Sequence, residues 1–182
     1  MSSQKPSLGA DALLPKEWEL PEWTLTEFLD RRHEHVLLIP VLNEGERIRR
    51  QLRKLKEYAR LVDIAIVDGG SRDGALEEEF LRQQDVRALM VKLGRGRLGA
   101  QLRIGLAGAM REGYRGVILM DGNDKDDPGA IPEFIRRLDS GGDHVQGSRY
   151  LPGGVAIHTP FIRAAAIRLI HAPLLSLCSG FR

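Results

Sequence analysis

The chain has 182 residues and a formal net charge of +2, and 42% of its residues are hydrophobic. These values are typical of one soluble globular domain, and the nearly balanced charge gives no argument for a nucleic-acid partner. The single cysteine, Cys178, excludes an internal disulfide and fits a reducing, cytoplasmic compartment. The sequence has neither the apolar core of a signal peptide nor an apolar run of about 18 residues, so no membrane span is expected.

Residues 1–32 are predicted to form an N-terminal arm ahead of one domain at residues 33–182. Thr24 and Glu27 have the spacing of a capping box, which predicts a short helix over residues 25–32. The two tryptophans of the arm are expected to pack it onto the domain, because aromatic side chains bury large areas.

Four short apolar segments are predicted to be buried strands, at residues 36–39, 64–67, 86–91 and 117–120. Each precedes a predicted helix, at residues 44–58, 75–84, 98–112 and 128–138. Asn43 and Glu46 have the spacing of a capping box at the start of the first helix. Strands that alternate with helices predict an α/β fold with a Rossmann-like, doubly wound, mostly parallel sheet flanked by helices. Residues 144–146 are a candidate start of a fifth strand.

In such a sheet, ligands bind outside the carboxyl ends of the strands. All four predicted strand ends are followed by segments rich in polar residues or glycine, at residues 43–44, 68–71, 94–99 and 121–127. Because polar turns without a function need not favour this edge, the coincidence predicts one site built from the four loops.

The last of these loops is dense in oxygen ligands. Residues 121–127 contain Asp121, Asn123 and three further aspartates, a composition that suits a hard cation such as Mg²⁺ or Mn²⁺. Acidic clusters before a helix are also common turn chemistry, so the loop by itself does not decide between the two. Asp127 and Pro128 are predicted to be the N-cap and first residue of the following helix.

The segment Gly94–Gly99 matches the dinucleotide-binding pattern G-x-G-x-x-G, and Asp121 lies about 20 residues further on, where a ribose-binding acid is expected. This pattern is the basis of one alternative function, an NAD(P)-binding oxidoreductase. The pattern normally follows the first strand, however, whereas here it follows the third. Arg95 and Arg97 would also crowd a pyrophosphate, and they suit a basic loop that favours any diphosphate at a helix N-terminus.

Five motifs occur in order along about residues 36–160, and together they resemble the family 2 glycosyltransferases, in particular the dolichol-phosphate mannosyltransferase-like branch. The motifs are Ile39-Pro-Val-Leu-Asn-Glu44, Val67-Asp-Gly-Gly-Ser-Arg-Asp-Gly74, Lys92-Leu-Gly-Arg-Gly-Arg-Leu-Gly-Ala100, Asp121-Gly-Asn123 and Gly147-Ser-Arg-Tyr150.

The resemblance implies a GT-A fold, an inverting transfer from a UDP- or GDP-linked sugar, a divalent metal (Mg²⁺ or Mn²⁺), and an acceptor such as a polyprenyl phosphate or another lipid-linked acceptor. It implies Asp121 and Asn123 as metal ligands, and Asp121 and Arg149 as the catalytic residues, with Arg149 meeting phosphate charge near the sugar. The residues implied to bind the nucleotide sugar are Pro40, Leu42, Glu44, Val67, Asp68, Gly70, Arg97, Asp121, Gly122, Asn123 and Arg149.

The chain departs from the family pattern at two positions. Gly69 stands where many members have a second Asp, and Asn123 stands where the metal motif usually ends in Asp. An amide oxygen still coordinates a hard cation but brings no charge. Asp124, Asp126 or Asp127 could therefore substitute as a ligand. A nucleotide-sugar-binding protein without catalysis is the second alternative function.

The acceptor side offers fewer residues. No carboxylate follows Asp143, so the general base for a hydroxyl acceptor is upstream, absent because the acceptor is already an anion, or part of residues that this chain lacks. Since related proteins continue past a point like Arg182, the domain is expected to be C-terminally incomplete. Residues 161–177 are apolar with arginines, which predicts either a core helix or an interfacial helix in peripheral contact with the cytoplasmic membrane face.

Overall fold

The computed structural model describes residues 7–8, 18–147 and 166–179. The chain forms two compact units, residues 1–143 and residues 144–182. The first unit is built on a six-stranded sheet. Its strands are β1 (Ser7–Leu8), β2 (Trp23–Glu27), β3 (His35–Val41), β4 (Asp63–Asp68), β5 (Val86–Lys92) and β6 (Gly116–Leu119). Its helices are α1 (Glu46–Leu55), α2 (Glu78–Gln83), α3 (Leu98–Arg111) and α4 (Ile131–Asp139), with 3₁₀ turns at Lys56–Arg60 and Pro128–Ala130.

The strand order is β1-β2-β5-β4-β3-β6. The last four strands in this order are parallel, and β1 and β2 add an antiparallel edge. The chain therefore moves outward from β3 to β5, and α3 then carries it back to β6 on the other side of β3. The predicted doubly wound, mostly parallel sheet is confirmed, and the order of its strands reverses between β3 and β6.

Both faces of the sheet are covered by helices. Along β3, Leu37 and Ile39 belong to the core that includes residues of α1, α2 and α4. Val36 and Leu38 alternate with them and belong to the core on the α3 side, together with Ile104. A parallel strand that is buried on both faces has a continuous apolar sequence, which is why β3 and β4 were recognisable without alternation.

The predicted helix at residues 25–32 is wrong, because this part of the chain forms β2, which pairs antiparallel with β5. Trp23 and Leu25 are buried, whereas Thr24 and Thr26 are half-buried. This alternation and the β-branched threonines suit a strand, and the edge of β5 supplies partners for its backbone. The capping-box spacing was coincidental. Trp23 is only 2% exposed, so the expected packing of the arm onto the domain is confirmed for this side chain.

The second unit is described only in part. Residues 144–147 form no strand, so the predicted start of a fifth strand is wrong there. A π-helical turn at Ile167–His171 leads into α5, Ala172–Ser179. Pro173 is the second residue of α5, directly after this turn, so the helical hydrogen-bonding pattern changes beside a residue that has no N–H to donate. This helix confirms the described part of the one expected at residues 161–177, and residues 161–165 lie outside the described part.

Several apolar side chains of the second unit are exposed, among them Leu169, Ile170 and Leu177. Within the described ranges, no helix is both long and apolar enough to cross a bilayer. Contact of this unit with a membrane surface stays a prediction.

The first testable prediction concerns the close approach of α3 to the sheet. A Cβ atom at Gly105 would lie 2.8 Å from Val67 Cγ2 and 3.0 Å from Leu38 Cδ1. We expect Gly105→Ala to destabilise the protein by about 1–3 kcal/mol, because overpacking outweighs the better helix propensity of alanine.

The matched control is Gly99→Ala in the first turn of the same helix, where a Cβ atom meets nothing within 4 Å. This change should be neutral or stabilise by up to about 1 kcal/mol. Urea unfolding of the two variants measures both effects. Equal stability of Gly105→Ala and the unchanged protein would mean that α3 packs less closely than described.

Candidate active site at the carboxyl edge of the sheet

The loops after β3 and β4 are cross-linked at the carboxyl edge. The Asn43 backbone N–H donates to Ser71 Oγ at 2.9 Å, and the Arg72 N–H donates to Asn43 Oδ1 at 2.9 Å. The Gly45 N–H donates to Asp73 Oδ2 at 2.7 Å. Two of the predicted loops therefore form one rigid surface, as expected for strand ends that meet at the same edge.

These contacts also show why the predicted capping box of α1 is wrong. The N-cap position is Gly45, and no side chain caps the helix. Asn43 lies two residues earlier with a φ of 52°, and its side-chain oxygen binds the Arg72 N–H instead. The Asn43 side chain thus bonds a backbone group that is distant in sequence instead of capping the helix that follows it.

Asp68 lies at the end of β4 and is only 5% exposed. Both of its oxygens accept from the Ser71 N–H at 3.0 Å, and Oδ1 also accepts from Ser71 Oγ at 2.6 Å. The carboxylate therefore shapes the turn that contains Gly70, whose φ is 98°. Val67 is buried on the α3 side of the sheet, so its side chain faces the core.

The end of β3 presents the other residues expected near the nucleoside. Pro40 is half-buried and Leu42 is 53% exposed. Glu44 is half-buried, with Oε2 at 3.0 Å from an Arg47 guanidinium nitrogen. Arg97 is exposed at the N-cap position of α3.

Asp121 follows β6 with an exposed side chain. Its Oδ2 lies 3.4 Å from Asn123 Nδ2, and its backbone N–H donates to Asp126 Oδ2 at 3.3 Å. Asn123 Oδ1 accepts from the Lys125 N–H at 3.1 Å. A Cβ atom at Gly122 would lie 3.0 Å from the Pro40 carbonyl oxygen, so glycine lets this loop pass close to the end of β3.

The remaining two aspartates of the loop have structural roles. The Asp124 carboxylate lies 2.8 Å from Lys54 Nζ and 3.3 Å from Arg50 Nε. Burial raises the pKa of Asp124, but the hydrogen bonds from Lys54 and Arg50 outweigh it and hold this pKa below its ordinary value. Asp127 accepts from the Gly129 N–H as the cap of the 3₁₀ turn that precedes α4, which confirms the predicted N-cap. Of the three carboxylates considered as substitute ligands, Asp126 is the one beside Asp121.

An open cleft of about 270 Å³ lies where the strand order reverses. It is bounded by the ends of β3 and β6 and by the first turns of α3. Its lining residues are Pro40, Leu98, Leu102, Leu119, Met120, Asp121 and Asp126. Ligands of doubly wound sheets bind at this kind of reversal. Two aspartates of the acidic loop at residues 121–127 therefore lie on the wall of the cleft.

The residues at the cleft fit a hard divalent cation. Asp121 and Asp126 supply two exposed carboxylates beside the Asn123 amide, and Mg²⁺ commonly takes one or two carboxylates together with substrate phosphates. Nowhere in the described ranges do three or more His, Cys, Asp or Glu side chains form a metal-binding cluster.

Two of the three glycines in Gly94–Gly99 have roles in the fold that need no pyrophosphate. A Cβ atom at Gly94 would lie 2.9 Å from the Glu22 backbone nitrogen, and Gly96 has a φ of 114°. The Gly94 N–H already donates to the Glu22 carbonyl at 2.9 Å. The loop follows β5, two strands away from β3 in the sheet, so it lacks the position of a dinucleotide fingerprint. These observations weigh against the oxidoreductase alternative.

Two buried glutamines were not predicted as part of this region. Gln101 Nε2 donates to the Val41 and Val67 carbonyls at 2.9 and 3.0 Å, which ties together the ends of β3 and β4. A Cβ atom at Gly69 would lie 2.9 Å from the same nitrogen, so the glycine at this position accommodates the Gln101 amide. The second glutamine, Gln51, bonds the loop after β6. The sequence signal that could have indicated them is a glutamine among the apolar residues of a predicted helix, because a buried amide needs hydrogen-bond partners.

The last motif of the resemblance falls mostly outside the described residues. Gly147 is exposed and lies in no strand. Arg149, expected to meet phosphate charge, is outside the described part of the chain.

The sequence profile of the family described as glycosyl transferase family 2 matches residues 36–169. A polyprenol monophosphomannose synthase of Mycolicibacterium smegmatis is 31% identical over 131 residues, which cover 70% of this chain and 49% of that protein. An undecaprenyl-phosphate mannosyltransferase of Micrococcus luteus is 27% identical over 128 residues, 69% of this chain and 52% of that protein. The chain thus spans about half the length of the curated relatives it matches.

Among solved structures, glucosyl-3-phosphoglycerate synthase from Mycobacterium tuberculosis, in complex with Mn²⁺, UDP and glucosyl-3-phosphoglycerate, superposes with a TM-score of 0.53. The sequence identity is 19%, and the match covers 80% of this chain and 50% of that one. This likeness concerns the fold, which is the GT-A type expected from the motifs. Since the family profile matches well over half of the sequence, the chain belongs to glycosyl transferase family 2.

Proposed function

We propose that this chain carries the donor-binding part of an inverting glycosyltransferase, which moves a hexose from a UDP- or GDP-linked sugar to a polyprenyl phosphate. Mannose is the hexose that we propose first. The observation that carries the proposal is the cleft at the β3/β6 reversal, with Asp121 and Asp126 on its wall. The names of the two curated relatives support a mannosyl donor and a polyprenyl phosphate acceptor.

The two halves of the site have different tasks. The cross-linked loops after β3 and β4 form the nucleoside side, with Pro40, Leu42 and Glu44 against base and ribose and Asp68 toward the base. Asp121 and Asn123 form the diphosphate side and would hold Mg²⁺ or Mn²⁺. When bound, the metal neutralises the negative charge that develops on the leaving nucleoside diphosphate.

The transfer is a displacement at the anomeric carbon. An acceptor oxygen forms the new bond from the face opposite the diphosphate, while the bond from carbon to the diphosphate oxygen breaks and its electron pair leaves with the nucleoside diphosphate. A phosphate acceptor is already an anion, so no proton has to be removed. A hydroxyl acceptor would need a base. Asp126, which lines the cleft, is the described carboxylate best placed for that role.

The test of this function is thermal stability with UDP, GDP and NAD, each in Mn²⁺, Mg²⁺ or EDTA. We expect UDP or GDP to stabilise the protein weakly in EDTA and much more strongly with metal, by about 2.7 kcal/mol at a hundredfold excess over Kd, because the ligand binds the native state. Stabilisation by NAD without metal would overturn the proposal in favour of the oxidoreductase. Tight binding with no sugar transfer to a polyprenyl phosphate would favour the non-catalytic alternative.

Asp121→Ala should remove the metal-dependent part of UDP or GDP binding, by at least about tenfold, as for loss of a metal-site group. The side chain is exposed, so the free energy of unfolding without ligand should change by less than about 0.5 kcal/mol. Isothermal titration with and without Mn²⁺ measures the change. Asp127→Asn, which keeps an N-cap in the same loop, is the matched control and should bind as the unchanged protein does.

Asp68→Asn should weaken UDP or GDP binding by about tenfold in EDTA as well as in Mn²⁺, because the nucleoside side does not depend on the metal and a charged hydrogen bond contributes about 1.5–3 kcal/mol. Ser71→Ala removes a hydroxyl that donates to Asp68 but leaves the carboxylate, and should weaken binding less. If Asp68→Asn binds UDP or GDP with unchanged affinity, the nucleobase does not bind at Asp68.

A further inference from the structure

The backbone of the loop after β6 is held by one buried side chain of α1. Gln51 is 0% exposed and lies between the core residues Ile48 and Leu52. Its Nε2 donates to the Asp121 carbonyl oxygen at 2.8 Å, and its Oε1 accepts from the Asp124 N–H at 2.9 Å. A buried amide is tolerated because its polar atoms are bonded, and here both of its ends bond the same loop.

Asp124 attaches the loop to the same helix a second time. Its φ is +60°, a left-handed backbone conformation that is uncommon for residues other than glycine but is adopted by aspartate more often than by most. Its carboxylate is only 9% exposed and pairs with Lys54 and Arg50 of α1. The charge of Asp124 is therefore used to anchor the loop, and it leaves ligand binding to the residues before it.

Asp121 and Asn123 lie within the segment that these contacts fix. The carbonyl of the first is bonded to Gln51, and the residue directly after the second is bonded to Gln51 and to two cations. In addition, α1 begins directly after Gly45, whose N–H is bonded to the loop after β4. One rigid helix thus connects the proposed nucleoside side to the proposed metal side.

We propose that Gln51 is a positioning residue, which preorganises Asp121 and Asn123 for a metal-bound diphosphate, and that the Asp124 ion pairs are its outer support. The inference rests on the proposed function, because it assigns a task to residues of that site. If Asp121 and Asn123 already have the spacing that the ion needs, no binding free energy is spent on ordering the loop. Residues that orient metal ligands usually change metal affinity when they are replaced.

The main test is Gln51→Leu, which removes both hydrogen bonds and keeps a similar volume. The readout is the Mn²⁺ concentration that gives half-maximal binding of whichever of UDP and GDP the unchanged protein binds. We expect it to rise by about 10-fold to 100-fold, with nucleotide affinity in EDTA unchanged. Without metal or nucleotide, the Asp124 amide should exchange its hydrogen faster in the variant.

Gln101→Leu is the matched control. It removes another buried helix amide, whose two backbone partners lie at the ends of β3 and β4 instead of in the loop after β6. Both leucine variants should lose stability, but only Gln51→Leu should shift the Mn²⁺ requirement. If the shift came from general destabilisation, the Mn²⁺ requirement would rise in both leucine variants.

A second variant tests the outer support without touching the core. Arg50→Gln combined with Lys54→Gln changes two side chains that are about half exposed, and should raise the half-saturating Mn²⁺ concentration by about threefold, a smaller effect because exposed ion pairs contribute less. Arg53→Gln is its control, since Arg53 pairs with Glu46 on the same helix.

The outcomes are separable. If folded Gln51→Leu requires the same Mn²⁺ concentration as the unchanged protein, the positioning role is wrong while the proposed function stands. If Gln51→Leu does not fold, an unchanged Mn²⁺ requirement in the double variant overturns it. If the unchanged protein binds neither UDP nor GDP with metal, the proposed function fails, and the positioning role fails with it.

Discussion

The pairing of β6 with β3 is the constraint on which the site depends. Once β3, β4 and β5 have formed in one direction, a fourth parallel strand can extend the sheet beyond β5 or return to the free edge of β3. The antiparallel β2 occupies the edge of β5, and α3 carries the chain back. The return places Asp121 beside Pro40, although 80 residues separate them in sequence, and Gly122 permits the close passage.

Buried amides then tie the strand ends to the helices. Gln101 joins the ends of β3 and β4 from α3, and Gln51 joins the loop after β6 to α1. In both cases a buried side chain of a helix bonds backbone groups at strand ends or in the loop that follows a strand. Such bonds contribute little net stability, but leaving the groups unpaired would cost more, so they favour one loop conformation over others.

The carboxylates of the acidic loop have different partners, which limits the repulsion between them. Four carboxylates lie within residues 121–127, which would be unfavourable if all were free. Asp124 is neutralised by two cations of α1, and Asp127 accepts from the Gly129 N–H of a helical turn. Asp121 and Asp126 remain exposed at the cleft, where the cation of the proposed function would balance their charge. Two of the four negative charges of the loop are thus left at the cleft.

The sequence by itself determined the parallel core and the four loops at one edge, because hydrophobic runs and turn residues reflect local physical preferences. It predicted a helix where β2 forms and a cap at Asn43, because the competing partners, the edge of β5 and the Arg72 N–H, are far away in the chain. Only the tertiary structure decided which carboxylates are free, why Gly69 replaces an acid, and that Gln51 holds the loop. Those properties depend on burial and on contacts across the sheet edge, to which local sequence patterns are insensitive.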